Sequence, residues 1–113
     1  MIEYYSFGKI QINGITYTSD IKILKQNVLA NWWRKSGHRV MIEDIDDLLQ
    51  SQPEIVILGK GKPGLMQATP ELKKHLESLN IELIEESTSS AVKTFNQLLK
   101  QKKLVSAGFH LTC

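Results

Sequence analysis

Cysteine, proline and tryptophan are scarce in this chain of 113 residues, which has one cysteine, three prolines and two tryptophans. The single cysteine, Cys113, excludes an internal disulfide and favours a reducing compartment. No apolar run approaches the roughly 20 residues that cross a bilayer, and Met1–Ser6 lacks the basic and apolar regions of a targeting signal. We therefore expect a cytoplasmic protein that makes no membrane contact.

A large excess of charge is also lacking. The chain has 14 Lys and Arg residues against 12 Asp and Glu residues, a net charge of +2. This near balance argues against a nucleic-acid partner. A chain of this length fits one domain, and because it has no linker or repeat, we expect a single domain over residues 1–113.

The first third of the chain alternates apolar and polar residues, which predicts antiparallel strands. Asn13-Gly14 lies between two such runs and suits a type I′ hairpin turn, whose two central positions both need positive φ. Further along, a short helix is expected over Asp44–Gln50, with Asp44 as its cap. The expected strands are Lys9–Ile12, Ile15–Tyr17, Ile21–Ile23 and, with open boundaries, Val28–Trp33.

The second half has a β-α-β-α-β pattern. Its three apolar runs are Ile55–Leu58, Ile81–Ile84 and Leu104–Phe109. Two segments with helical periodicity separate them, the first beginning at Thr69-Pro70 and the second near Thr88. Because connections are short and crossovers right-handed, the three strands are expected to be parallel. The prediction is one α/β domain with an N-terminal antiparallel hairpin, a C-terminal βαβαβ unit and a mixed sheet.

Each of the three predicted parallel strands is followed by a polar cluster: Gly59–Gly64, Ser87–Ser90 and His110–Cys113. Parallel strands bring these clusters to one edge of the sheet, where open α/β sheets bind ligands. Backbone amides together with two lysines suit a small anion such as phosphate or carboxylate. The candidate ligand-binding residues are Gly59, Lys60, Gly61, Lys62, Gly64, Thr88, Ser89 and His110.

The same features have structural interpretations that remain open. The glycine spacing matches a dinucleotide fingerprint, but these glycines precede the helix start at Thr69-Pro70, and a simple tight turn also explains them. The Thr88 hydroxyl and its serine neighbours are expected to cap the last helix. Asn96 lies about 12 Å further along that helix, so we expect it to bond to neighbouring backbone instead.

The last segment carries His110 and Cys113, three residues apart. On a strand, such residues face opposite sides, which disfavours a nucleophile and its base. No second pair of ligands accompanies them for zinc. We assign no catalytic residue, metal or cofactor, and we expect Cys113 to be partly buried.

Trp32, Trp33 and Arg34 lie in a segment that mixes aromatic and basic residues up to Arg39. Such a mixture can bind single-stranded nucleic acid, although the near-neutral chain disfavours that interpretation. We favour one tryptophan in the core beside a solvated basic turn. Trp32, Trp33 and Arg34 are the candidate residues of a protein-interaction surface, which would be the better interpretation if both indoles were exposed.

Several short motifs follow one another along the chain: Ser6–Ile10 with Gly14, Tyr17 and Asp20, then Ile57–Gly61, then Thr88, Ala91, Val92, Phe95 and Asn96, and last His110–Cys113. Together they resemble the small Mth-type domain family, which includes a methanogen protein, an adipogenesis-associated human protein and a mitochondrial assembly factor for respiratory complex I. The resemblance covers nearly the whole chain. It implies a three-layer α/β fold with a mixed sheet and brings no established catalytic residue. Where the family is expected to have tyrosine, this chain has Phe95.

Two functions follow as expectations. The first is a non-catalytic accessory protein that acts through protein contacts, and the resemblance suggests respiratory complex assembly as its setting. The alternative is a domain, or an enzyme, that binds a small anion or small molecule in the crevice at the strand ends. Exposed indoles would favour the first, and convergence of Gly61, Thr88 and His110 would favour the second.

Overall fold

Ten strands, three α-helices and one short 3-10 helix make up the structure, a computed structural model that describes residues 1–113. The strands are β1 (Ile2–Ser6), β2 (Lys9–Ile12), β3 (Ile15–Tyr17), β4 (Ile21–Leu24), β5 (Asn27–Leu29), β6 (Arg39–Val40), β7 (Ile55–Gly59), β8 (Gln67–Ala68), β9 (Glu82–Glu86) and β10 (Val105–Phe109). The α-helices are α1 (Asp46–Gln50), α2 (Pro70–Ser78) and α3 (Thr88–Lys100), and the 3-10 helix is Ile42–Ile45. None of these helices combines the length and the apolar character needed to cross a bilayer.

The strands form three sheets. The N-terminal sheet contains β1, β2 and β3, which pair antiparallel. The central sheet has the order β5-β4-β10-β7-β9, and β6 pairs with β8 in a small parallel sheet. In the central sheet β7 is parallel to both β9 and β10, whereas β4 is antiparallel to β10, so the sheet is mixed, as predicted. The ends of β7, β9 and β10 therefore meet at one edge, here called the carboxyl edge.

Apolar clusters cover both faces of the central sheet, which confirms the three-layer fold. Ile55 and Ile57 of β7 face α3 and the N-terminal sheet, whereas Val56 and Leu58 face α1 and α2, because successive side chains of a strand alternate. The chain passes from β7 to β9 through α2, then returns past β7 to β10 through α3. Right-handed crossovers in opposite directions put the two helices on opposite faces.

Local sequence signals explain two features that agree with prediction. Asn13 and Gly14 both have positive φ, 50° and 83°, and they join β2 to β3 in the predicted hairpin. Thr69 caps α2 by accepting a hydrogen bond of 3.1 Å from the amide of Leu72, and Pro70 is the first helical residue. Proline fits there because the first helical amide has no partner within the helix.

Two other local predictions differ from the structure. The strand expected over Val28–Trp33 ends at Leu29, and Asn31, with a φ of 58°, has a left-handed conformation that an extended strand does not contain. Asp44 lies inside the 3-10 helix rather than capping α1, which begins at Asp46. The Asp44 carboxylate instead accepts a hydrogen bond of 2.8 Å from the amide of Met41, at the start of the 3-10 helix.

Candidate functional site at the carboxyl edge

Gly61, Thr88 and His110 converge at the carboxyl edge, and they do so by bonding to one another. The Thr88 hydroxyl accepts a hydrogen bond of 2.8 Å from the amide of Gly61 and donates one of 2.5 Å to the carbonyl oxygen of His110. Thr88 is fully buried. Its hydroxyl therefore joins the ends of three strands and does not cap α3, whose cap position is Ser87.

Other backbone amides of the glycine turn, residues 59 to 64, also donate hydrogen bonds to neighbouring segments. The amide of Lys60 donates to the carbonyl oxygen of Glu86 at 2.8 Å, and that of Lys62 donates to the carbonyl oxygen of Thr112 at 2.8 Å. The amides of residues 60 to 62 thus hold β9, α3 and the terminal segment together. The side chain of Lys62 remains exposed, that of Lys60 is half-buried, and neither forms an ion pair.

Two glycines let the terminal segment pack against the turn. A Cβ atom on Gly61 would overlap the carbonyl oxygen of Thr112 and lie 2.7 Å from the His110 ring, and the φ of Gly61 is 91°. A Cβ atom on Gly59 would lie 2.7 Å from the Phe109 ring. The terminal segment therefore packs directly against the backbone of Gly59 and Gly61. Of the remaining candidates, Ser89 is exposed and Gly64 is half-buried with a φ of 110°.

A buried ionic cluster lies beside this turn. The Asp20 carboxylate is 2.9 Å from Nη2 of Arg34 and 2.7 Å from Nδ1 of His110, and it accepts a hydrogen bond of 2.8 Å from the amide of Leu111. The short contact with His110 fits a proton on Nδ1 that is donated to the carboxylate. Sequence reasoning did not place Asp20 in the site. The sequence indicated Asp20 only as one of the residues that carry the family resemblance. Its partners His110 and Leu111 lie some 90 residues away, so no local pattern connects them.

The cluster controls the ionisation of Asp20. Burial by itself raises the pKa of a carboxyl group, but the hydrogen bonds from His110, the Leu111 amide and Arg34 outweigh it and hold the pKa of Asp20 below its ordinary value of 3.8. Burial raises the pKa of Tyr5 above 10.0, and the Tyr5 hydroxyl donates to the carbonyl oxygen of Leu111 at 2.9 Å. Two buried nitrogens, Nη1 of Arg34 and Nε2 of His110, have no hydrogen-bond partner.

The tandem tryptophans separate, and only one of them belongs to the surface. Trp32 is buried, its Nε1 donates to the carbonyl oxygen of Asp44 at 3.0 Å, and its ring occupies the space that a side chain on Gly108 would need. Arg34 is also buried, with its guanidinium 4.5 Å from the centre of the Trp32 ring. Trp33 is 78% exposed. Of the predicted surface residues Trp32, Trp33 and Arg34, only Trp33 is accessible to a partner.

Other exposed apolar residues surround the same edge. Phe7 precedes Gly8, whose amide donates to the carbonyl oxygen of Leu111, and the amide of Leu65 donates to the carbonyl oxygen of Cys113. Phe7 is 59% exposed and Leu65 is 51% exposed. Cys113 is itself exposed, which corrects the expectation of a partly buried thiol. Exposed basic residues near this edge that form no ion pair are Lys35, Arg39 and Lys62.

Asn96 lies away from this edge and bonds to backbone, as expected. Its side-chain oxygen accepts a hydrogen bond of 2.9 Å from the amide of Ile2, and its side-chain nitrogen donates one of 2.7 Å to the carbonyl oxygen of Ile2. The side chain therefore satisfies both outward backbone groups of Ile2, as a neighbouring strand would.

Known proteins share this fold over nearly their whole length. A family model described as "Protein of unknown function (DUF498/DUF598)" matches residues 2–110. The crystal structure of the conserved hypothetical protein PH1505 from Pyrococcus horikoshii OT3 is 29% identical, has a TM-score of 0.89, and the match covers 100% of this chain and 99% of that one. MT938 is 24% identical with a TM-score of 0.83, and the match covers 100% and 98% of the two chains. A Mth938-like domain from Bordetella pertussis, solved by NMR, is 15% identical with a TM-score of 0.73 and coverage of 98% and 85%. These similarities confirm the Mth-type resemblance.

Proposed function

This chain belongs to the DUF498/DUF598 family, and we propose that it is a non-catalytic accessory protein that binds another protein at its carboxyl edge. The observation that carries the proposal is the separation of the two tryptophans. Trp32 and Arg34 fix the segment in the core, while Trp33 between them is 78% exposed. An exposed aromatic side chain on a fixed backbone loses little conformational entropy when a partner binds. Such a side chain is therefore well suited to anchor a protein interface.

The polar interior of the edge supports the same proposal. The amide of Gly61, the hydroxyl of Thr88 and the carbonyl oxygen of His110 bond to one another, so these three groups stabilise the fold. Recognition is then left to the side chains that project from the edge, above all Trp33, Phe7 and Leu65.

The charge of the edge favours an acidic partner. Lys35, Arg39 and Lys62 are exposed there without an acidic neighbour in an ion pair. Unpaired surface charges of one sign steer an oppositely charged partner and raise the association rate more than the affinity. An acidic segment with one or more apolar side chains would therefore fit this surface best.

The test is affinity capture from the native host with Trp33→Ala. The matched control is Leu104→Ala, because Leu104 is 62% exposed and directly precedes β10, at the end of that strand opposite to the carboxyl edge. We expect wild type and Leu104→Ala to recover the same proteins and Trp33→Ala to lose them. Subunits of a respiratory complex among those proteins would support the setting suggested by the family resemblance. Equal recovery by all three forms would refute the proposal.

Small-anion binding remains a second candidate because of one observation. Nη1 of Arg34 and Nε2 of His110 are buried without partners, and an unsatisfied buried polar group costs about 1–3 kcal/mol. A bound anion would accept a hydrogen bond from Nη1 of Arg34, and also from Nε2 of His110 when the imidazole carries both protons. Titration with inorganic phosphate, against chloride at equal ionic strength, should then give saturable NMR shifts at Arg34 and His110. Identical responses to the two salts would reject this candidate.

A further inference from the structure

The last strand of the central sheet, β9, has an open edge. Glu82 to Glu86 pair in parallel with Ile55 to Gly59 on one side only, because β9 ends the strand order. The amide of Glu82 donates to the carbonyl oxygen of Glu54, and the carbonyl oxygen of Glu86 accepts from the amide of Lys60. In a parallel pair, alternate residues turn both backbone groups toward the same neighbour. Residues 82, 84 and 86 thus face β7, and Leu83 and Glu85 turn outward.

The outward backbone groups have no partner. Neither the amide nor the carbonyl oxygen of Leu83 or Glu85 takes part in a hydrogen bond outside the regular ladder, and β7 is the only strand that pairs with β9. An edge strand with such unpaired groups can pair with a strand of another chain. Proteins commonly place charged side chains on edge strands to prevent unwanted pairing. The contrast with Ile2 of β1 is direct, because Asn96 satisfies the outward groups of that residue.

A groove beside the open edge could hold side chains of an added strand. It lies between α2 and β9, has a volume of about 370 Å³, and its apolar lining comes from Leu76, Ile81 and Leu83. Glu77 and Glu85 also line it, with Lys73 as the single base, 3.7 Å from Glu85. An apolar side chain on an added strand would enter on this face, next to Leu83.

The charges along β9 select the kind of strand that can pair there. Glu82, Glu85 and Glu86 are three of its five residues. A second copy of this chain pairing along the same edge would set carboxylates against carboxylates, which is destabilising. A strand with Lys or Arg at alternate positions would instead face Glu82 and Glu86 with opposite charge.

We propose that the open edge of β9 binds an extended segment of a partner protein, basic on one face and apolar on the other, as a sixth strand of the central sheet. This surface meets the carboxyl edge only at Glu86, the last residue of β9, and does not include Trp33, so either proposal can fail without the other. The recognition mode is strand addition, in which main-chain hydrogen bonds give affinity and alternate side chains give specificity.

The test uses the whole chain and a Lys-Val-Lys-Val-Lys peptide. At saturating peptide we expect hydrogen exchange at the amides of Leu83 and Glu85 to slow by about tenfold. Glu82→Lys should weaken binding by about fivefold, since it turns one favourable cross-strand charge pair into a repulsive one. Glu43→Lys is the matched control, because Glu43 lies in the 3-10 helix and not on β9.

Two comparison peptides separate strand addition from simple charge attraction. The same peptide with alternate backbone nitrogens methylated keeps its charge and loses its ladder donors, so it should not protect Leu83 or Glu85. A Glu-Val-Glu-Val-Glu peptide should not bind. Equal binding of either comparison peptide would overturn the proposal. Protection that rises with protein concentration alone would also overturn it, because the occupant would then be a second copy.

Discussion

Replacing Thr88 with valine should unfold this domain at a much lower denaturant concentration than wild type. Valine has nearly the shape of threonine but lacks the hydroxyl that accepts from Gly61 at 2.8 Å and donates to His110 at 2.5 Å. Both of those backbone groups would remain buried without a partner. Each unsatisfied group costs about 1–3 kcal/mol, so the free energy of unfolding should fall by about 2–6 kcal/mol for the two groups. That is a large fraction of the roughly 5–15 kcal/mol typical of a domain.

The measurement is urea unfolding followed by circular dichroism and tryptophan fluorescence. With a slope of about 1–3 kcal/mol per M, the midpoint should fall by about 1 M or more while the slope stays constant. Thr88→Ser keeps the hydroxyl and should lose only about 1 kcal/mol for the methyl group. Ser89→Ala, at an exposed neighbouring position, should change stability by less than about 0.5 kcal/mol. If Thr88→Val loses no more stability than Thr88→Ser, the hydroxyl bridge does not stabilise the fold.

Three further outcomes follow from the same structure. Asn96→Ala removes both hydrogen bonds to Ile2 and should lower the free energy of unfolding by about 1–2 kcal/mol; unchanged exchange of the Ile2 amide would contradict this. Asp20 has a lowered pKa in the folded state, so its ionised form stabilises the fold above about pH 4 and loses this effect as the pH falls through the folded pKa. The free energy of unfolding of Asp20→Asn should therefore fall less steeply than that of wild type below about pH 4. If it falls as steeply in the variant as in wild type, the prediction is wrong. Trp33→Phe should remove most of the fluorescence that acrylamide quenches, because Trp32 is buried; equal quenching in the variant would show Trp32 to be accessible.

Most of the fold could be predicted because its signals are local. Asn13-Gly14 specifies its hairpin by the φ values that the two residues accept, and Thr69-Pro70 specifies a helix start by its cap and its missing amide. Strand direction then follows from connection length and crossover handedness. The strand predicted over Val28–Trp33 was too long, since β5 ends at Leu29 and Asn31 has a left-handed conformation. The presence of an asparagine does not by itself predict that conformation.

The site was predicted only in part because its arrangement depends on distant contacts. The sequence brings Gly61, Thr88 and His110 to one edge, but it does not reveal that their groups bond to each other. The burial of Trp32 depends on the missing side chain of Gly108, which opens the space for its ring. The pairing of Asp20 with His110 likewise joins two residues that are 90 positions apart in the sequence.

Polar groups that converge at a sheet edge can either bind a ligand or bond to one another and stabilise the fold. Which of the two applies depends on whether their donors and acceptors already have partners within the protein. An amide carries one proton, so once Gly61 donates to Thr88 it has none left for an anion. The same comparison of donors and acceptors identifies parts of this chain whose polar groups can still form hydrogen bonds with a partner. They include the exposed indole of Trp33 and the outward backbone groups of Leu83 and Glu85. Both lie on the periphery of the sheet, where a macromolecular partner can reach them. Recognition by this domain should therefore involve extended protein surfaces more than enclosed small molecules.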